Sequence, residues 1–267
     1  MTTRKIIAHR GLPTLAPENT QRTFNKLLDY NIDWFETDLS ITKDAQAVIL
    51  HDDNLERTTD TTGLITEKTT AELTEVSNGA WFSPEFAQER ILTLIQLIDF
   101  LNQNKLNVNI ELKSVIGTFA NDLANELVSQ LAQALKLLDT QINVIVSSFN
   151  PLMIAKFKAL DATTPTALLF SQKSLQADWD FYMQALDTKI IHPQSEGLTK
   201  EKVQTIKDHG YDLNVWTVDR IDRANQLFNW GVDGVITNIA QNMPQIQAKT
   251  PRSQKTQPLG PFLSNWH

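Results

Sequence analysis

The chain has 267 residues, 41% of them hydrophobic, a net charge of −7 and no cysteine. That length can bury one sizeable core, near the size of a single eight-unit α/β barrel, and no apolar run approaches the roughly 20 residues needed to cross a bilayer. The missing cysteines exclude disulfides, iron–sulfur clusters and thiolate zinc, while an acidic balance without basic stripes excludes nucleic acid and anionic membrane surfaces as partners.

In chain order, Met1 to Lys5 lead straight into Ile6-Ile7-Ala8, too short for the apolar core of a signal peptide, so a soluble cytoplasmic protein is expected. From there short β-branched runs alternate with stretches of helical period, the pattern of repeated βα units and a parallel sheet. The first strand is expected over 5–9, the first helix over 19–30, and the second strand over 34–40 with a return arm over 46–51. A polar, Thr-rich segment at about 53–91 breaks the rhythm and reads as an insertion after the second strand. A helix over 94–102 follows, then strands over 108–113, 143–148, 166–170, 189–192, 212–217 and 234–237. Helices over 118–138, 151–160, 175–186, 200–209 and 220–230 separate these strands, and a last helix covers 241–247. Thr199, and Asn150 before Pro151, are placed to cap helices, whereas Gly210 and Gly231 are placed to end them. The expected fold is an α/β (β/α)8 TIM-type barrel, one domain over 1–248 with a tail over 249–267.

Four polar clusters close apolar strand-like runs: His9-Arg10-Gly11, Glu36-Thr37-Asp38, His51-Asp52 and Glu111-Leu112-Lys113. In a barrel, the C-terminal ends of the strands carry the chemistry. Glu36 and Asp38, two apart on one strand, project from one face together with Trp34 and Ser40. Helices cover the outside of a barrel, so both carboxylates are expected inside, and Glu111 joins them if the third strand lies beside the second. Three oxygen donors and no thiolate suit a hard divalent ion, Mg²⁺ or Ca²⁺, with Mn²⁺ as a third option. His9 and His51 sit at the barrel mouth, where one imidazole can take a proton and the other return it; the sequence leaves open which does which. Lys113 falls on the same face as Glu111 and can reach a phosphate, while Arg10 can either do so or neutralise a carboxylate. Trp216 is placed to wall a pocket, with Phe149 as a weaker companion, and Glu18 either contacts a ligand or supports its neighbours. His192 reads as structural, His209 as a helix-end residue and His267 as tail.

These segments resemble the glycerophosphodiester phosphodiesterase family. The resemblance runs through HRGLPTLAPENTQRTF at 9–24, FETDLSITKDAQAVILHDDNLERTT at 35–59, LTEVSNGAWF at 73–82, NIELK at 109–113, SSFNP at 147–151, NVWTVD at 214–219 and GVDGVITN at 231–238. It implies metal-dependent hydrolysis of deacylated phospholipids to glycerol 3-phosphate and an alcohol, with attack by the neighbouring glycerol hydroxyl to give a cyclic phosphate that water opens. A small-molecule substrate follows, and the oligomeric state stays open. The chain departs from the family pattern at Asp44-Ala45, where Asp-Gly usually turns the hairpin, at Leu92 in place of a proline, and at Asn238 in place of an aspartate. None of the three is expected to touch a catalytic residue. The insertion, with Trp81 and Phe82, is expected to shape the alcohol side of the pocket. Two alternatives remain: a phosphodiesterase of the same fold acting on lysophospholipids in the manner of a lysophospholipase D, and a non-catalytic barrel that binds a phosphorylated ligand.

Overall fold

The computed structural model describes residues 4–247; the tail expected over 249–267 lies outside them. Strand β1 (Lys5–Ala8) leads to helix α1 (Gln21–Asp29), and β2 (Trp34–Ile41) to an antiparallel return strand, β3 (Ala47–Ile49). The inserted segment contains a short helix, α2 (Thr70–Leu73). Alternation then resumes with α3 (Leu94–Asn104), β4 (Asn107–Leu112), α4 (Ala120–Ala134), β5 (Val144–Ser148), α5 (Pro151–Leu160) and β6 (Thr166–Phe170). It continues through α6 (Trp179–Ala185), β7 (Ile190–Pro193), α7 (Lys200–Asp208), β8 (Asp212–Val215), α8 (Ile221–Trp230), β9 (Gly234–Thr237) and α9 (Pro244–Gln247). Strand β1 pairs in parallel with both β2 and β9, so the eight parallel strands close into the expected (β/α)8 barrel, and β3 pairs with the far end of β2. No helix among the described residues is long and apolar enough to cross a membrane.

Side-chain alternation along each strand divides an outer core from the barrel interior. On β2 the outward Phe35 packs on Phe24 of α1 and Phe100 of α3, with ring centroids 4.8 and 6.4 Å apart, which turns Glu36 and Asp38 inward. Trp34, on the same inward face, packs below them against Ile145, Ala167 and Ile190. Leu55, Ile65 and Leu73 of the insertion form a small separate core with Val48 of β3 and the neighbouring Leu50, so the insertion is anchored on the return strand.

Local signals set most boundaries. Asn150 Oδ1 accepts from Leu152 N at 3.0 Å and Thr199 Oγ1 from Lys202 N at 3.3 Å, as expected of caps, and α8 ends at Gly231 with φ 105°. Helix α1 begins two residues later than expected because Thr20 is its cap, its side chain accepting from Thr23 N. The helix expected over 175–186 shortens to Trp179–Ala185, behind a turn in which Ser171 and Ser174 hydrogen-bond each other. The helix expected over 241–247 divides into a 3₁₀ turn, Ala240–Asn242, and α9, since Pro244 has no N–H to continue the first.

Candidate active site

The strand ends bring the sequence-predicted residues together at one mouth. Strands β2 and β4 lie side by side in a register that sets Asp38 opposite Glu111 and Glu36 opposite Asn109. Oxygens of Glu36, Asp38 and Glu111 thereby come within 4.8 Å of one another, all three side chains buried. Arg10 and Gly11 follow β1 with φ of 54° and 88°, a left-handed pair that points the Arg10 N–H at Glu36 Oε2, 3.0 Å away. Gly11 is required there, because a Cβ would sit 2.5 Å from Thr23 Cγ2.

Both cations are engaged with the carboxylates. Lys113 Nζ lies 2.7 Å from Glu111 Oε1 and 3.6 Å from Asp38 Oδ1; Arg10 Nη1 donates to Glu18 Oε1 at 2.8 Å, and its Nε lies 3.3 Å from Asp38 Oδ2. The neutralising role left open for Arg10 is therefore present in the fold. Glu18 is a strut between arginines, since Arg57 from the insertion also reaches it, at 2.7 and 3.0 Å. Arg57 in turn grips Asp52, whose Oδ1 lies 2.5 Å from His51 Nδ1. Asn19, at φ 56°, donates from Nδ2 to Asp38 Oδ2 at 2.9 Å and accepts from Thr37 Oγ1 at 2.8 Å.

His9 directly follows β1, with Nε2 3.8 Å from Glu36 Oε2, while its Nδ1 meets Asn238 Oδ1 at 2.7 Å. This corrects the expectation that none of the family departures touches a catalytic candidate. Strand β9 lies beside β1 with Thr237 opposite Ala8, and that register, invisible across more than two hundred residues of sequence, sets Asn238 against His9. Trp216 donates from Nε1 to the His192 carbonyl at 2.7 Å and meets Phe149 edge-on, ring centroids 5.3 Å apart. His9, His51, Glu36, Glu111, Phe149 and Trp216 all face one pocket of about 150 Å³. Trp81 and Phe82 do not line it; their rings meet edge-on, centroids 5.6 Å apart, and Phe82 meets Phe86 edge-on at 5.4 Å. Arg57 is what the insertion brings to the site. It lies in the NLERTT run, but its place shows only in the fold, where it meets Asp52 five residues away and Glu18 thirty-nine residues away.

The electrostatics suit a bound cation. Burial, reinforced by the negative charges of Asp38 and Glu111, pushes Glu36 well above the usual carboxylate range. Burial pushes Glu111 up to about 7 even with Lys113 beside it. Burial acts in the same sense on Asp38, but Arg10 and Lys113 outweigh it and hold that carboxyl low. Burial and the Arg10 charge push His9 down to about 4, so its ring is neutral near pH 7. Glu36 Oε1 and Asp38 Oδ1 are buried with no hydrogen-bond partner. A buried, oxygen-rich cluster of three carboxylates with unsatisfied lone pairs could hold a hard divalent ion.

Residues 9–241 match the model of the glycerophosphoryl diester phosphodiesterase family. A glycerophosphodiester phosphodiesterase of Caldanaerobacter subterraneus subsp. tengcongensis is 31% identical over 91% of this chain and 98% of its own. One from Bacillus subtilis is 29% identical over 87% of this chain and 82% of its own. Among solved structures, an Oleispira antarctica phosphodiesterase in complex with the product sn-glycerol-3-phosphate superposes with a TM-score of 0.86 at 30% identity, covering 92% of this chain and 98% of that one.

Proposed function

The chain belongs to the glycerophosphoryl diester phosphodiesterase family, and from that premise we propose that it hydrolyses glycerophosphodiesters to glycerol 3-phosphate and an alcohol, with Glu36, Asp38 and Glu111 holding a divalent ion and His9 and His51 moving the protons. The observation that carries this reading is the convergence at one mouth of the buried carboxylate triad, two imidazoles and two cations, with His9, Arg10, Glu36, His51 and Glu111 lining its pocket. The glycerol 3-phosphate bound to the Oleispira relative supports the same product here.

Bound there, Mg²⁺ or Ca²⁺, or Mn²⁺ as a third option, would polarise the phosphoryl oxygen and lower the pKa of the attacking hydroxyl. The residues of the chain do the rest. Lys113 and Arg10 stabilise the charge that gathers on the non-bridging oxygens. One histidine accepts the proton of the attacking hydroxyl as the new P–O bond forms; the other gives a proton to the departing alkoxide as the old P–O bond breaks. Where the glycerol hydroxyl attacks, the product is a cyclic phosphate, and the two histidines exchange roles as water opens it. Trp216 and Phe149 wall the glycerol side.

The test is glycerol 3-phosphate release from a panel of glycerophosphodiesters, with and without added metal. Turnover that chelation abolishes and Mg²⁺ or Ca²⁺ restores is expected; full turnover after exhaustive metal removal overturns the metal assignment. One observation favours a second reading, a lysophospholipid substrate: Ile116, Phe119 and Phe149, on the loops after β4 and β5, and Leu152, in the first turn of α5, are exposed large apolar side chains at that end of the barrel. A lysophospholipid turned over faster than its deacylated counterpart would select it.

A further inference from the structure

Asn238 and Asp219 form a chain of hydrogen bonds behind His9 that no proton-transfer role in the reading above uses. Strand register alone brings them there: β1 and β9 pair with Ala8 beside Thr237, and His9 N donates to Thr237 O at 2.9 Å. Asn238 Nδ2 lies 2.7 Å from Asp219 Oδ2. The other oxygen, Asp219 Oδ1, accepts from Asn238 N at 2.8 Å and Thr237 Oγ1 at 3.2 Å, so the group is a carboxylate held by donors. A carboxylate can only accept. The amide atom facing Asp219 must then be the NH₂, and the one facing His9, 2.7 Å from Nδ1, must be the carbonyl oxygen. An amide oxygen can only accept in its turn, so Nδ1 of His9 carries a hydrogen. A neutral ring has one N–H, which leaves the lone pair on Nε2, the nitrogen 3.8 Å from Glu36 Oε2 on the pocket side.

We propose that Asn238, oriented by Asp219, is a positioning residue that fixes the tautomer and the ring plane of His9, so that Nε2 meets the reacting oxygen with its lone pair free. The inference rests on the catalytic reading of His9, but its geometry does not. Asp219 touches neither His9 nor the pocket, yet it sets the direction of the whole chain.

Three variants test this in the full-length protein with ¹⁵N-labelled histidine, whose ring-nitrogen shifts near neutral pH report the tautomer; the His9 signals are assigned by their loss in His9→Ala. Wild type should show Nδ1–H. Asn238→Leu removes both bonds, and Asp219→Asn lets the Asn238 amide turn over without altering any group that touches His9. Each should give a mixed or Nε2–H ring and lower kcat roughly 10–100-fold with KM little changed, the scale for partners that orient a reacting histidine. Asn238→Asp restores an acceptor at Nδ1 and should recover the Nδ1–H ring and most of kcat. Nδ1–H and wild-type kcat retained in Asp219→Asn or Asn238→Leu overturn the inference, even if His9→Ala is inactive. A tautomer that moves while kcat stays unchanged shows instead that His9 does not react through Nε2, and the catalytic reading fails with it. If Asn238→Leu does not fold, Asp219→Asn and Asn238→Asp decide the question.

Discussion

The two ends of the barrel make opposite use of similar materials. At the floor, a cavity of about 600 Å³ opens between Lys5, Trp34, Lys136, Asp139, Asn143 and Asp212, four times the volume of the pocket at the mouth, about 150 Å³. Yet the floor charges attend to near neighbours: Lys5 sits over the Trp34 ring at 5.4 Å, and Asp139 pairs with Lys105 at 2.5 Å. At the mouth the charges converge from β1, β2, β4 and the insertion on one space and leave buried oxygens unsatisfied. Convergence, and not volume, locates the chemistry. It also has a cost in stability, since like carboxylates are gathered in a buried place and held there by Arg10, Lys113 and Arg57.

The largest test of this contrast is Glu36→Gln, which takes one carboxylate from the triad. Metal binding should weaken and turnover fall by about 10³-fold or more, the several kcal/mol that a metal contributes to phosphoryl chemistry; near wild-type rates at saturating metal would show that the triad is only structural. Next, His9→Ala and His51→Ala should each lose about 10²–10⁴-fold in kcat while remaining folded by circular dichroism. A folded variant with wild-type turnover removes that histidine from the mechanism.

Within the mouth, Lys113→Ala should slow every phosphodiester comparably, by roughly 10–100-fold, the loss of a charged hydrogen bond of about 1.5–3 kcal/mol. Trp216→Ala should instead penalise glycerol-bearing substrates, and Trp81→Ala with Phe82→Ala should leave the ranking of head groups unchanged, because those rings do not reach the pocket. Measuring kcat/KM across one panel separates the three. A changed ranking in the double variant would mean the insertion closes further over substrate.

Below the mouth, inside the barrel, His192 gives a test by pH. Burial, with a smaller contribution from Lys5, pushes its pKa down to about 3, and its Nε2 meets the Asn214 side chain at 3.0 Å. An unfolded imidazole titrates near 6.5, so between these values the unfolded chain binds the extra proton, and stability falls as pH falls through the window. By pH 5 this group alone should remove about 2 kcal/mol, read as a lower urea midpoint than at pH 7 together with His192 ring shifts that stay constant. A ring that titrates near 6.5 in the folded protein contradicts it. The smallest effect is expected at the floor: Lys136→Ala and Asp212→Ala should leave kcat/KM unchanged and alter stability by no more than about 0.5 kcal/mol. A loss of activity in either would turn the larger cavity into part of the function.

Much of this was legible in the sequence, for local reasons. Strand alternation alone placed Glu36 and Asp38 on one face, β-branched runs placed the strands, and Asn150, Thr199 and Gly231 marked helix ends, because each depends on residues within a turn or two. His9, Arg10, His51, Glu111, Lys113 and Trp216 could be picked out as polar or aromatic groups at strand ends. Tertiary structure alone decided what closes behind them. The β1–β9 register set Asn238 against His9, the folding of the insertion sent Arg57 rather than Trp81 to the mouth, and Glu18 became a strut only once two arginines from different segments met on it. The physical reason is that periodicity fixes the direction a side chain takes from its own strand, whereas the group it meets depends on closure of the barrel, a condition on all eight parallel strands at once.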